Sequence, residues 1–331
     1  QGMILSIVFG FIILFAFVRF FQGYPGKDLP DLMLENFPKL FSVLVLLAIA
    51  IIWFIVGLIS LVTFTFTLKR FLTPESSTLL IASIFLIFIT YGIFLRTKSV
   101  LYTIEIVLLM ILPVDFFLIL KSITSNDFKI DFVSESIMHI NHLPNFTSIS
   151  TALYIYFGIV NLLIFNNQFQ EHEISFTWKD FCLSVLFGFF YLLVGFFIPI
   201  GLLGYDNIGT VTNPIITATD ALRMPLGIIE RVLFITLTEV IFSTFICILL
   251  QWHVVIQILK KIFKTKKFIW HNINFLFVAI VVLLWGTTIY TINVLNEYSL
   301  LVFVQNFFYI LPFFLIFMLL LFYLIKRRQK Q

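Results

Sequence analysis

Nine apolar runs, each about as long as a membrane's hydrocarbon core is thick, set the first limit on how this chain can fold. A helix that crosses the roughly 30 Å core needs about 20 mostly apolar residues. With 61% hydrophobic and only 11% charged residues, the chain is incompatible with a water-soluble globular fold, in which about a quarter of residues are charged. We therefore predict an all-α, polytopic transmembrane helix bundle with about nine spans: A 3–21, B 40–67, C 78–95, D 100–120, E 148–165, F 181–203, G 226–259, H 272–294 and I 300–325.

Lysine and arginine residues are distributed unequally over the two sides of this bundle. Fifteen of the 21 lie on the side that holds the connection between spans G and H and the C-terminal tail. Cytoplasmic loops carry the excess of basic residues in membrane proteins, so we expect this side, and the C-terminus, to be cytoplasmic. The basic residues cluster in the loops between apolar runs, so the pI of about 9.0 reflects topology and we expect no nucleic-acid partner. The apolar runs make the lipid bilayer the expected partner.

Motifs for catalysis or cofactor binding are missing from the sequence. The two cysteines both lie inside apolar runs, and there is no glycine-rich phosphate loop, nucleophile elbow or zinc signature. We expect no enzyme activity, no cofactor and no metal site. A membrane enzyme such as a glycan polymerase stays open as an alternative, and it would depend on outer-loop residues such as Arg223, His139 and His142.

Three features of the sequence resemble one transporter family. The stretch 24–29 reads YPGKDL after span A, and Asn213-Pro214 precedes the stretch 227–231, GIIER, at the entry to a long span. A longer loop, 122–145, separates spans D and E. Together these features resemble the spore-permease branch of the amino acid–polyamine–organocation superfamily, which contains the B subunits of spore germinant receptors.

The resemblance implies an inverted-repeat, amino-acid-transporter-like fold. Residues 1–121 would be the remainder of the first five-helix repeat, 122–147 an outer loop, and 148–331 the second repeat. Span A would then be the second helix of the family's plan, and we expect the first transmembrane helix to be missing from this sequence.

The same resemblance implies a function. It is that of a germinant-receptor B subunit, which senses a small nutrient, an amino acid, in the spore inner membrane and acts with A and C subunits. A proton-coupled amino-acid permease is the alternative.

Span G carries the clearest intramembrane charge. Glu239 lies about 13 residues into the span, which at 1.5 Å per residue places it near the middle of the membrane. Charged residues at that depth are costly and usually mark functional sites. Thr236 and Ser243 lie on the same helical face as Glu239, so we predict that the three line a ligand or proton cavity. An interhelical hydrogen bond from a protonated carboxyl is the alternative.

Span E is interrupted by polar residues around a single glycine. Tyr154, Gly158 and Asn161 occupy this segment, and broken helices of this kind form substrate sites in inverted-repeat transporters. We assign these three residues to a ligand cavity between spans B, E and G. A close helix contact at Gly158 is the alternative. Gly57 of span B is added to the cavity, with core packing against neighbouring helices as the alternative.

Two further acidic residues lie in span D. We expect Glu105 to pair with Arg96 or Lys98 near the cytoplasmic end of the span. Asp115 follows Pro113, and we expect a kink with a locally satisfied carboxylate there.

Overall fold

The computed structural model describes residues 1–138, 143–169, 176–225, 227, 229–263, 269–270 and 273–329. In these residues the regular secondary structure is helical apart from two paired two-residue strands, β1 Ile269–Trp270 and β2 Ile273–Asn274. The helices are α1 Gly2–Phe21, α2 Leu29–Asn36, α3 Lys39–Phe71, α4 Thr78–Ile93, α5 Thr97–Ile123, α6 Ile130–Met138, α7 Phe146–Leu153, α8 Leu162–Phe165, α9 Trp178–Leu203, α10 Pro214–Ala221, α11 Val232–Phe263, α12 Phe275–Val294 and α13 Glu297–Gln329.

The helices confirm the polytopic bundle. Eight of them, counting the composite Phe146–Gln168 as one, are long and apolar enough to cross a membrane. A ninth apolar helix, α4, is shorter at 16 residues and occupies predicted span C. The predicted start of span G at Leu226 lies outside the described residues, and the helix itself begins at Val232. Before it, Arg223 and Arg231 form an isolated antiparallel bridge that closes the preceding loop.

Span E is interrupted as predicted, and the interruption takes the form of a 3-10 helix. The α-helical turns of α7 end at Leu153, a 3-10 helix runs over Tyr154–Asn161, and α8 resumes at Leu162. Long 3-10 stretches inside a helix are uncommon because their hydrogen-bond geometry is poorer than that of an α-helix. The segment is therefore a local departure from regular structure, and it depends on its surroundings for stability.

The chain divides into two compact units, each built from several segments. We call the first the cavity unit; it comprises Gln1–Ile12, Glu105–Tyr156 and Thr177–Ser243. Helices α6 and α10 pack on α9 in this unit. The Tyr156 ring lies against Gly10 and Gly188, where an added methyl group would overlap it, and the Tyr156 hydroxyl donates to the Val185 carbonyl at 3.1 Å. Small residues on α1 and α9 thus allow one aromatic ring to lie between the two helices.

We call the second the tryptophan unit; it comprises Ile13–Ile104, Phe157–Phe176 and Thr244–Gln331. Here α3 packs against α2, α4, α12 and α13. Trp53 and Trp252 are both completely buried, and the indole of Trp252 fills the space beside Gly57. At one end of the unit Arg70 forms an ion pair with Glu297 at 2.8 Å. The absence of a side chain at Gly57 thus allows a large aromatic side chain to pack closely against α3.

Candidate functional site

A cavity of about 230 Å³ lies within the cavity unit, between α5, α9, α10 and α11. Such a volume holds a small solute and lies below that of drug-sized pockets, which run from about 300 Å³ upward. The described residues that line it are Asp115, Leu118, Ile119, Ser122, Tyr191, Val194, Gly195, Ile198, Pro199, Ile215, Thr219, Thr236 and Glu239.

Helical periodicity explains which side chains reach the cavity. Residues three, four or seven positions apart share one face of an α-helix. On α5 this rule brings Asp115, Ile119 and Ser122 to the cavity, and on α11 it brings Thr236 and Glu239. Helices α5 and α11 thus each contribute two polar side chains to the lining, and the aliphatic residues between them keep most of the lining apolar.

Asp115 and Tyr191 form the one hydrogen bond that joins two helices across this lining, among the described residues. The Tyr191 hydroxyl of α9 donates to Asp115 Oδ2 of α5 at 2.8 Å. The predicted local satisfaction of Asp115 beside Pro113 is therefore wrong, because its carboxylate is bonded to another helix. The available sequence signal was the charge itself, since an acidic residue deep in a span calls for a partner. That the partner is Tyr191, 76 residues away, could not be deduced from the sequence.

The hydroxyl groups of the lining leave hydrogen-bond acceptors facing the cavity. Ser122 donates to the Leu118 carbonyl at 2.7 Å, Thr219 to Ile216 at 3.0 Å, and Thr236 to Val232 at 3.4 Å. A hydroxyl that donates to its own helix retains oxygen lone pairs for other partners. The described lining contains two carboxyl groups and no Lys, Arg or His. Such a lining suits a ligand that is positively charged or rich in hydrogen-bond donors.

The predicted site residues fall into both units. Thr236 and Glu239 are brought together in the cavity. Ser243 lies one turn beyond Glu239, outside the lining, and donates to the Val240 carbonyl at 3.2 Å. Tyr154 is half-buried and also outside the lining.

The other three predicted residues, Gly57, Gly158 and Asn161, belong to the tryptophan unit. Asn161 Oδ1 accepts a hydrogen bond from Trp53 Nε1 at 2.7 Å, and Asn161 Nδ2 donates to the Gly158 carbonyl at 3.0 Å. At Gly158 an added methyl group would meet no described atom within 4 Å, so this glycine does not serve a close helix contact. Gly57, in contrast, is in tight contact with Trp252.

A second polar cluster, around the YPGKDL stretch, was not anticipated from the sequence. Asp28 is 1% exposed; it caps α2 by accepting from the Asp31 amide at 3.0 Å and lies 3.2 Å from Lys261 Nζ. Asn166 Nδ2 donates to the Tyr24 and Lys27 carbonyls, both at 2.8 Å. Burial raises the pKa of Asp28 to about 6, although the Asp31 amide and Lys261 lower it. The cluster fixes the connection between α1 and α2.

No group of three or more metal-ligating side chains occurs in the part of the chain that the structure describes. His139 and His142, on which the enzyme alternative depends, lie outside that part.

Comparison with known proteins gives one match. A family model described as spore germination protein matches residues 2–292. Searches of curated proteins and of solved structures found no significant match.

Proposed function

The chain belongs to the spore germination permease family, and from this premise we propose that it is the B subunit of a germinant receptor that senses a small nutrient, an amino acid. Membership of a permease family points to a transporter or receptor. The bundle of apolar helices makes it an integral membrane protein. The proposal adds the subunit role, the ligand class and the site.

One observation carries the proposed site: two carboxyl groups and several acceptor hydroxyls face one small cavity, and no described basic residue lines it. An ammonium group has three donors and no acceptor, so it matches such a lining. We infer that the amino group of the nutrient lies between Asp115 and Glu239, with Thr236 beside it. The aliphatic part of the lining, which includes Ile198 and Ile215, would hold a side chain.

Sensing requires that the ligand distinguish two conformations of the bundle. A ligand with equal affinity for both shifts nothing, however tightly it binds. Because the cavity lies between helices, a bound ammonium group would attract the carboxyls of α5 and α11 toward each other and favour the conformation in which they are close. This shift is the signal that we propose is passed to A and C subunits in the spore inner membrane, with the C-terminus cytoplasmic in accordance with the distribution of Lys and Arg.

The proposed site is tested by binding measurements on the purified protein. We suggest titration of the twenty proteinogenic amino acids, followed by the best ligand's N-acetyl derivative, which lacks the positive charge. Glu239→Gln should weaken binding of the best amino acid by about tenfold or more, since hydrogen bonds to charged groups contribute roughly 1.5–3 kcal/mol. The acetylated compound should bind the wild-type protein equally poorly.

Thr238→Val is the matched control, because Thr238 neighbours Glu239 on α11 but is exposed and outside the lining. It should bind like the wild-type protein. Equal binding by wild type and Glu239→Gln would exclude this cavity as the amino-acid site. In spores, Glu239→Gln should raise the nutrient concentration needed for germination.

The proton-coupled permease is the second candidate, and the two carboxyl groups in one cavity favour it. One carboxyl could bind the amino group while the other carries the proton. Counterflow of labelled amino acid into proteoliposomes, abolished by Glu239→Gln, would support transport. Binding without counterflow would support sensing.

A further inference from the structure

Helix α5 is the most exposed of the helices that could cross a membrane. Only 6% of its most apolar stretch is buried, against 22% to 56% in the other seven. Large side chains project from it into the surroundings, such as Leu109 at 65% exposure and Phe116 at 64%. Exposure of this kind on a transmembrane helix means contact either with lipid or with protein that lies outside this sequence.

Glu105 distinguishes between these two possibilities. The midpoint of α5 is residue 110, so Glu105 lies five residues, or about 7.5 Å, from the centre of the helix. Lys98 and Lys121, near the two ends, place the headgroup regions on either side. The carboxyl therefore lies well within the roughly 30 Å hydrocarbon core.

The Glu105 side chain is exposed and has neither a hydrogen bond nor an ion pair to any described residue. The predicted pair with Arg96 or Lys98 is therefore absent from the described structure. On insertion scales an acidic side chain costs about 2.5–3.5 kcal/mol at the centre of a transmembrane helix, and Glu105 lies about 7.5 Å from that centre. Asp115 and Glu239, the other acidic residues deep in spanning helices, both line the cavity. Glu105 alone of these three faces outward.

The residues of the exposed strip differ from the residues of α5 that line the cavity. At about 100° per residue, Glu105, Leu109, Leu112 and Phe116 lie within about 60° of one another. Asp115 is turned about 80° away from Glu105. The exposed face is thus a continuous apolar strip with a single acidic group, and none of its four residues lines the cavity, although the lining residue Ile119 borders it at about 40° from Glu105.

We propose that this strip binds a transmembrane helix of a partner protein that carries a Lys or Arg opposite Glu105. Charge complementarity argues for this occupant, because an ion pair removes the cost of a lone carboxylate in lipid. A symmetric dimer of this chain through the same strip would bring two Glu105 carboxylates together, and like charges repel. The proposal does not depend on which ligand the cavity binds.

Photocrosslinking in membranes of the source organism tests the partner. A benzophenone amino acid replaces Leu109 in the full chain, and the matched control replaces Leu186 of α9, which is 61% exposed. The crosslinked peptide is identified by mass spectrometry. We expect position 109 to crosslink to one transmembrane segment that contains a Lys or Arg, and position 186 to crosslink mainly to lipid.

Charge reversal completes the test. Glu105→Lys should reduce the crosslink at position 109 at least fivefold, and reversal of the mapped basic residue in the partner should restore it. Glu105→Gln is the second variant, which removes the charge with little change of shape and should also reduce the crosslink. Because Glu105 is exposed, neither variant should alter the melting temperature of the isolated chain. Lipid adducts alone at 109, a crosslink to a second copy, a captured helix without a basic residue, or an unchanged yield in both variants would each overturn the proposal.

Discussion

The two units arrange their polar groups differently: Trp53 and Asn161 of the tryptophan unit are buried, whereas the carboxyl groups of the cavity are half-buried. In the tryptophan unit, Trp53, Asn161 and the Gly158 carbonyl bond to one another, and large rings fill the space. In the cavity unit, Asp115, Tyr191 and Glu239 surround a space that no described side chain fills. Polar groups that are bonded among themselves specify a structure, whereas polar groups around a space are available to a ligand. From this comparison we propose that the first unit serves stability and the second serves recognition.

Trp53→Ala should cause the largest loss of stability. It removes a fully buried ring, at about 3–5 kcal/mol, and it leaves Asn161 Oδ1 without its donor. We expect a large decrease in melting temperature in detergent, or failure to accumulate in membranes. Phe88→Ala, at an exposed aromatic of α4, is the control and should melt close to wild type. A small effect at Trp53 would remove the basis for calling this unit the structural one.

The Asp28 cluster extends the comparison to pH. With its pKa raised to about 6 from an ordinary 3.8, Asp28 binds a proton more tightly in the folded chain than in the unfolded one. This stabilisation is full below pH 3.8 and is lost as the pH rises through 6. The free energy of unfolding falls by roughly 3 kcal/mol over this range, because each pH unit contributes about 1.4 kcal/mol. Asparagine cannot titrate, so this stabilisation is absent from Asp28→Asn. Between pH 5 and pH 7.5 the melting temperature of the wild type should therefore fall relative to that of the variant.

Glu35→Gln is the control for this prediction, because Glu35 belongs to an exposed ion pair with Lys27. Its pH profile should follow that of wild type. A constant difference between wild type and Asp28→Asn across this range would show that Lys261 and the Asp31 amide outweigh burial at Asp28.

Asn161→Leu and Thr236→Val contrast two predicted site residues directly. Asn161→Leu leaves the Trp53 indole N–H buried without an acceptor, so we expect a loss of about 1–3 kcal/mol in stability. Thr236→Val replaces a hydroxyl of the lining by a methyl group of similar size. It should weaken amino-acid binding severalfold with little change in melting temperature. Melting curves and binding titrations of both variants should be measured side by side. If Asn161→Leu weakened binding and Thr236→Val lowered the melting temperature, the assignment of the two units would be reversed.

Sequence reasoning succeeds here where the physics is local. The thickness of the hydrocarbon core fixes span length, so eight of the nine predicted spans each coincide with one α-helix, and span E coincides with α7, the 3-10 segment and α8. The cost of a charge at mid-membrane singled out Glu239, and helical periodicity placed Thr236 beside it; both line the cavity, and that they bind a ligand stays a prediction. The polar residues around Gly158 predicted the break in span E.

Contacts between distant helices could not be predicted in this way. Gly57 and Trp53 are four residues apart and so share one face of α3, but whether that face meets a ligand or a side chain depends on Trp252, almost 200 residues later. The Asp115–Tyr191 bond and the Lys261–Asp28 ion pair have the same origin. No single-sequence pattern encodes which of several faces approach each other.

Tyr191→Phe is expected to have the smallest effect. It tests the one hydrogen bond of the described lining that joins two helices of the cavity unit. The Tyr191 hydroxyl bonds Asp115 and lines the cavity, so its removal leaves the carboxylate free to move and costs a hydrogen bond of about 1 kcal/mol. If this unit serves recognition, the loss should appear as roughly fivefold weaker amino-acid binding, with the melting temperature nearly unchanged. Tyr156→Phe is the matched control, because its hydroxyl donates to a backbone carbonyl away from the lining. A lower melting temperature for Tyr191→Phe with unaltered binding would mean that the bond between α5 and α9 holds the unit together, and the contrast between the two units would then fail at this residue.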